Sequence, residues 1–272
     1  MKPQPLFAER NVLPGPVRRR LSGSRKVILF LDFDGTLVPI RKKPSLARLA
    51  PNTGALLRRL AHSPGILVGL VTGRSHSDIA AKVRLSRLFL ITNHGFEIVS
   101  GTSHWVHPEA ARTVPILEAI AGELETSIGS IPGVLIENKG YTVSVHYRNV
   151  QRQIVPLVKR RVARSLTPYE GSAKTTSGKR VLEIRPNLDW NKGFAVMKFL
   201  RSQRPPHTAF VAYIGDDATD EDAFRLLPRR AVTIVVGKRM RSAAAYWVPS
   251  PRHVVKFLEL VASTNIDGGQ DD

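Results

Sequence analysis

Five consecutive apolar residues, Val27–Leu31, run directly into Asp32-Phe33-Asp34-Gly35-Thr36-Leu37. An uninterrupted apolar run of this length suits a strand buried on both faces, as in a parallel sheet covered by helices. Such a strand tolerates carboxylates only where they have partners, because unpaired buried charge is costly. Asp32 and Asp34 stand at its carboxyl end, separated by Phe33. Two carboxylates there call for a cation. Mg2+ is the natural one: hard, oxygen-liking and able to hold a substrate phosphate. Gly35 permits a tight turn with close backbone approach, and Thr36 offers hydrogen bonds to a phosphoryl group.

Further apolar runs repeat the pattern. Residues 65–71 read as a buried strand ending in Thr72-Gly73-Arg74, and 88–92 as a third strand leading to Asn93-His94-Gly95-Phe96-Glu97. Residues 51–61 read as a helix with Leu56, Leu57 and Leu60 on one side, and 75–83 as a helix with Ser75 as N-cap. After Pro186 the alternation resumes, with helices over 192–201 and 221–227, strands over 208–214 and 231–236, and a last helix from Arg252. This predicts an α/β fold with a doubly wound, Rossmann-like parallel-sheet core. The intervening stretch differs: a helix over 108–129, a hairpin of 134–138 and 141–148, a helix over 150–166 and a strand over 179–185 predict an inserted α+β cap domain. The expected division is a mobile basic arm (1–24), a discontinuous catalytic core (25–104 and 187–265) and the cap (105–186), with 267–272 disordered. Ligands of open α/β sheets sit beyond the strands' carboxyl ends, so the cap is expected over that edge.

Composition narrows the partners. Lys and Arg number 41 against 22 Asp and Glu, a formal net charge of +19. The basic clusters (Arg18 to Arg20, Arg41 to Lys43, Lys159 to Arg161, Arg229-Arg230, and Lys238, Arg239 and Arg241) are scattered and not interleaved with aromatics. They read as a solvated basic surface that also attracts acidic partners such as phosphate esters; no specific nucleic acid is expected. Cysteine is absent, which excludes disulfides and thiolate chemistry. No apolar run is long enough to span a bilayer and the N-terminus lacks a secretory apolar region, so a cytoplasmic monomer with no membrane partner is expected.

The second acidic group is Gly215-Asp216-Asp217-Ala218-Thr219-Asp220-Glu221-Asp222, with five carboxylates in seven residues of a chain short of acids. The first of these would repel strongly without a cation. Asp216 is expected to complete a magnesium shell with Asp32 and the backbone carbonyl of Asp34. Asp217 or Asp220 is expected to hold a coordinating water or to orient Lys192. Glu221 and Asp222 suit a helix N-terminus. The Thr72 hydroxyl and the N–H after it, at Gly73, can bind phosphate oxygens, and Lys192, opening a helix after Asn191, can neutralise a transferring phosphoryl group.

Asp32-Phe33-Asp34-Gly35-Thr36-Leu37 resembles the first motif of the haloacid-dehalogenase-type phosphohydrolases. The resemblance implies that Asp32 is the nucleophile, forming an aspartyl-phosphate, and that Asp34 is the general acid and then the general base. The insert adds a second signal. In the strand over 141–148, Thr142, Ser144, His146 and Arg148 share one face; in the strand over 179–185, Glu183 and Arg185 lie opposite Leu182 and Ile184. Glu137 and Lys139 fall two apart. That face is either solvated or a site for a polyol.

Ile136-Glu137-Asn138-Lys139-Gly140, Val145-His146-Tyr147-Arg148, Leu182-Glu183-Ile184-Arg185-Pro186, Lys192-Gly193 and Gly215 to Phe224 together resemble the trehalose-6-phosphate phosphatase family, over about residues 26–260. The resemblance implies Mg2+-dependent hydrolysis of trehalose 6-phosphate to trehalose and phosphate, a small sugar-phosphate substrate bound through Glu137, Lys139, Arg148, Lys179 and Glu183, and a hinge element at His94 and Gly95. Thr72 stands where serine is more usual, and Asn138 where aspartate is common. The alternatives are a phosphatase of the sucrose-phosphate or mannosylglycerate-phosphate type, and a non-enzymatic basic binding protein on the same scaffold.

Overall fold

The computed structural model describes residues 2–7, 12–178, 180–237 and 241–264. The chain divides into two compact units, Met1–Trp105 with Asn191–Asp272, and Val106–Trp190. In chain order the elements are β1 (Gln4–Pro5), α1 (Gly15–Ser22), β2 (Val27–Leu31), α2 (Pro51–His62), β3 (Ile66–Val71), α3 (His76–Val83), β4 (Phe89–Thr92), β5 (Glu97–Ser100) and β6 (Ser103–Val106). The second unit contributes α4 (Pro108–Ile128), β7 (Leu135–Asn138), β8 (Val143–His146), α5 (Val155–Leu166), β9 (Ala173–Gly178) and β10 (Val181–Pro186). The chain then returns through α6 (Lys192–Ser202), β11 (Phe210–Gly215), α7 (Asp220–Leu226), β12 (Val232–Val236), β13 (Tyr246–Val248) and α8 (Pro251–Thr264).

The first unit is built on a nine-stranded sheet in the order β1-β13-β12-β11-β2-β3-β4-β5-β6. Pairing is parallel from β1 to β4, and β5 runs antiparallel to β4. All five residues of β2 are buried, as its unbroken apolar run requires. One sheet face buries Leu29, Leu31 and Ile214 with Leu57 and Leu60 of α2 and Phe257, Leu258 and Val261 of α8. The other gathers aromatics: Phe30 lies 5.3 Å from Phe89, 6.0 Å from Phe199 and 6.4 Å from Tyr213, centroid to centroid. Leu31 pairs with Ile214 on one side and Leu70 on the other, which levels the carboxyl ends of β2, β11 and β3. Chain order reverses about β2, so the crevice where such sheets bind ligands falls at Asp32 and Asp216.

The second unit carries an antiparallel sheet, β7-β8-β10-β9, whose apolar face (Val143, Val145, Leu182 and Ile184) packs with Leu117, Ile120 and Leu124 of α4 and Val158 and Val162 of α5. β9 is polar along most of its length (Lys174, Thr175, Thr176, Ser177), so it gave no periodic signal; it exists because β10 supplies its hydrogen bonds. No helix among the described residues is long and apolar enough to cross a membrane.

The N-terminus corrects an expectation. Residues 1–24 were expected as a mobile arm, yet Gln4 pairs with Tyr246 and Pro5 with Trp247, and Leu6, Leu13, Val17 and Leu21 are buried in the main core. Leu13, Val17 and Leu21 recur every fourth residue, an apolar stripe that the flanking arginines and prolines obscured. Pro16 in the first turn starts the helix rather than breaking it. The tail expected to be disordered lies outside the described residues.

Candidate active site

Lys192 is the hub of the site. It is the first residue of α6, 3% exposed, and its Nζ donates to Asp32 Oδ1 and to Asp220 Oδ1, each at 2.9 Å. Asn191 caps the helix by accepting from the Phe194 N–H at 3.1 Å. Two glycines bring the helix start close enough for the lysine to reach. A Cβ on Gly193 would meet the Asp222 carbonyl at 2.6 Å, and one on Gly95 would meet Ala195 Cβ at 2.7 Å. The His94-Gly95 element therefore seats the helix that carries the lysine.

Asp220 is fully occupied. Oδ1 accepts from Lys192 and from the Tyr213 hydroxyl at 2.7 Å; Oδ2 accepts the N–H groups of Asp216 and Asp217, both at 2.9 Å. Four donors fill its lone pairs. Asp220 thus aims Lys192 and folds the turn after β11. Asp217, the other candidate for that work, is half-buried and accepts the N–H of Ala218 at 2.7 Å. Glu221 also has a structural task, accepting from the Ser242 hydroxyl and the Ala243 N–H across to the loop before β13.

Asp32, Asp216 and Asp220 each offer an oxygen within 4.8 Å of the others. Asp32 and Asp220 share the ammonium of Lys192, so these two carboxylates alone exceed that cation by one negative charge, which favours a further cation at the group. Because the Asp220 oxygens are filled, Asp32 and Asp216 are the pair able to hold it. Gly35 makes room: it sits at φ +90°, and a Cβ there would meet the Asp216 carboxylate at 2.3 Å. Gly35→Ala is therefore expected to weaken Mg2+ binding at least tenfold and to lower the melting temperature, read by Mg2+ titration of thermal unfolding; unchanged binding would mean Asp216 does not hold the ion. The Thr36 hydroxyl is fully buried with no hydrogen-bond partner among the described residues, as expected of a donor awaiting a ligand oxygen. Thr72, 2% exposed, accepts the Arg74 N–H at 3.2 Å and keeps its own hydroxyl hydrogen to give. Gly73 lets the His94 ring close in; a Cβ would lie 2.4 Å from it.

The electrostatics follow from this crowding. Burial pushes the Asp32 carboxyl well above the usual carboxylate range, with Lys192 pulling it down and Asp220 and Asp216 pushing it further up. Burial also opposes the charge on Lys192, but Asp220 and Asp32 outweigh it and hold the ammonium above its ordinary value. Asp220 is held below the usual range: burial opposes its ionisation, and Lys192, the Asp217 N–H and Tyr213 overcome that. A cation beside Asp32 reverses the first of these shifts, since it favours the carboxylate.

Asp34 is expected to offer the metal its backbone carbonyl, and its side chain has a partner of its own. Its carboxylate is gripped by Arg74, Nε to Oδ2 at 2.5 Å and Nη2 to Oδ1 at 2.7 Å. Arg74 also binds Asp78 Oδ2 at 2.5 Å and the Pro44 carbonyl at 3.0 Å, and its guanidinium lies 5.5 Å from the centre of the Phe33 ring. Sequence reasoning passed over Arg74. The available signal was its charge: an arginine at the end of a buried strand must find a carboxylate, and Asp78 stands four residues on.

In the second unit, strand register lines up Glu137, Ser144, Glu183 and Thr176 across the sheet. Glu183, 6% exposed, accepts from Lys139 Nζ at 3.0 Å and from the Ser144 hydroxyl at 2.7 Å. His146 Nε2 lies 3.2 Å from Glu137 Oε2. Arg185 is buried and donates to the Trp190 carbonyl. On this face Ser144 and Glu183 are buried, while Glu137 and His146 are partly exposed. Arg148 stands beyond the end of β8 and is exposed. Lys179 lies outside the described residues.

The fold is shared with solved haloacid dehalogenase-like hydrolases. One of these, from Bacteroides thetaiotaomicron, matches with a TM-score of 0.60 at 16% identity, over 87% of this chain and 99% of that one, which speaks to fold alone. The family model described as trehalose-phosphatase matches residues 30–248, and the chain belongs to that family. The trehalose-phosphate phosphatase of Mycobacterium tuberculosis is 36% identical over 250 residues, covering 88% of this chain and 62% of the relative. The chain thus spans about three fifths of the length of the curated relatives it matches. A crystal structure described as a trehalose-6-phosphate phosphatase related protein matches with a TM-score of 0.78 at 26% identity, over 89% of this chain and 99% of that one.

Proposed function

We propose that this chain is a Mg2+-dependent phosphatase that hydrolyses trehalose 6-phosphate to trehalose and phosphate. The observation that carries the reading is the buried group of Asp32, Asp216 and Asp220 around Lys192, at the switch point of the sheet. Asp32 attacks phosphorus in line, forming the Asp32–phosphorus bond as the bond to the sugar oxygen breaks. The leaving oxygen takes a proton from Asp34. In the second half Asp34 takes a proton from water, which attacks phosphorus and releases phosphate from Asp32. Both roles need an Asp34 oxygen to leave Arg74. Lys192, Thr72 and Thr36 donate to the phosphoryl oxygens. Mg2+, held by Asp32 and Asp216, supplies charge neutralisation for those oxygens when bound.

Family membership and the polar cluster of the second unit support a disaccharide as the leaving group. In this reading Glu183, Lys139, Glu137, Arg148 and Lys179 recognise the sugar. The test is phosphate release from trehalose 6-phosphate beside sucrose 6-phosphate, glucose 6-phosphate and an aryl phosphate, with Mg2+ and with EDTA. Magnesium-dependent release from trehalose 6-phosphate alone is expected. Comparable release from several esters would move the substrate elsewhere, and release from none would end the enzyme reading.

Removal of one charged sugar contact should cost trehalose 6-phosphate turnover about 10- to 100-fold in kcat/KM. Glu183→Ala is therefore expected to lose trehalose 6-phosphate activity on that scale while aryl phosphate hydrolysis persists. Equal loss on both would argue that Glu183 only holds its unit together through Lys139 and Ser144.

A further inference from the structure

The strands that end at Asp32 and Asp216 begin at a patch of positive charge. Three segments meet at the amino ends of β2, β11 and β12: residues 18–26, 201–209 and 227–231. Together they hold eight arginines and one lysine (Arg18, Arg19, Arg20, Arg25, Lys26, Arg201, Arg204, Arg229 and Arg230) and no carboxylate. Hydrogen bonds tie the segments together. The Ser24 hydroxyl lies 2.6 Å from both the Arg20 and the Thr208 carbonyls, and the Phe210 N–H donates to the Lys26 carbonyl at 2.8 Å. Arg230 Nη1 donates to His207 Nδ1 at 2.6 Å, which leaves the His207 Nε2–H as a further donor. Arg20 lies 5.9 Å from the centre of the Phe210 ring, and both burial and the charge of Arg230 act to lower its pKa. Like charges are being held together here, since none of the nine forms an ion pair with a described residue.

We propose that this amino-terminal edge of the sheet is a docking surface for the phosphodiester backbone of nucleic acid, bound without sequence preference. Guanidinium groups predominate, and their forked donors match phosphate oxygens in pairs. Arg18, Arg19, Arg25, Arg201, Arg204, Arg229 and Arg230 are exposed, while the large apolar residues of the same segments, Leu21 and Leu227, are buried. A membrane-binding surface would instead offer exposed apolar side chains to insert among the lipids. β2 and β11 set the patch apart from the acid group by about 17–20 Å, at roughly 3.3 Å per residue. Docking at one end therefore leaves the other open, and the proposal is independent of the substrate.

The experiment is fluorescence anisotropy of a short labelled DNA duplex with the full chain, titrated from low to physiological salt. The triple variant Arg204→Gln, Arg229→Gln, Arg230→Gln is compared with a charge-matched triple variant on α5, Arg160→Gln, Arg161→Gln, Arg164→Gln. Wild type is expected to bind, with log affinity falling linearly against log salt. The patch variant should lose about two to three units of that slope, near one for each phosphate contact removed. The α5 variant should keep most of the slope, and all three proteins should hydrolyse an aryl phosphate equally. No binding at low salt, or equal loss in both triple variants, would overturn the proposal. So would capture by phosphatidylserine vesicles without binding to the duplex, which would assign the patch to a membrane instead.

Discussion

Asp32→Asn is expected to lower kcat by about a million-fold, the scale on which enzymes fall when a covalent nucleophile is removed. Asparagine keeps the shape and can still meet Lys192, so the fold should survive. The variant should also change how metal-free protein responds to pH. Burial pushes the Asp32 carboxyl well above the usual range, despite Lys192 and with Asp220 and Asp216 adding to the effect. The folded protein then keeps a proton that the unfolded chain releases near its ordinary pKa of about 3.9. Such a group makes the fold less stable as pH rises through the interval between the two values. Metal-free wild type should therefore lose thermal stability as pH climbs from about 4, and Asp32→Asn should flatten that loss. Saturating Mg2+ should flatten it in wild type too, because the cation favours the ionised carboxylate. Melting curves at several pH values, with Mg2+ and with EDTA, read both effects. Turnover within about tenfold of wild type would mean that another group attacks phosphorus.

The second large effect is on stability. Lys192→Met should cost about 3–5 kcal/mol in the metal-free protein, the usual loss when one partner of a buried ion pair is removed. Among the described residues Lys192 is the one cation bonded to Asp32 and Asp220, so its loss leaves both carboxylates without that ammonium. For a chain of this size the melting temperature should fall by about 10 °C. Mg2+ should raise the melting temperature of the variant more than that of wild type, since the ion then provides the positive charge the site lacks. Activity should fall by about 100- to 1,000-fold, the scale of losing one charge-stabilising donor at the transition state. A metal-free melting temperature close to that of wild type would mean that the three acids do not depend on the lysine.

Much of this was legible in the sequence, and the parts that were not share a cause. β2, β3 and β11 are apolar over several consecutive residues, and such runs can be read locally. Asp32 and Asp216 follow from where those runs end, and Lys192 from the helix it opens after Asn191. The division of labour between Asp217 and Asp220 did not follow. It depends on Tyr213, a strand residue that reads as one more core aromatic until its hydroxyl is seen on Asp220. Arg74 was passed over for a similar reason, because Asp34, which it grips through two nitrogens, lies 40 residues away along the chain. β1 and β9 are too short or too polar to show a period, and they form because β13 and β10 offer them hydrogen bonds. Pairing between distant segments leaves no local pattern to read.

The two-residue strand at the edge of the large sheet has one more consequence. The Gln4 and Leu6 N–H groups point inward, to the carbonyls of Ala245 and Trp247, each at 2.9 Å. Alternation turns positions 3 and 5 outward, and both are proline. That margin of the sheet consequently presents no amide hydrogen at either position to a strand arriving from solution. A long parallel sheet left open at its margin would invite chain-to-chain growth. Here the first few residues close it, and they act as a selvedge for the fabric they finish.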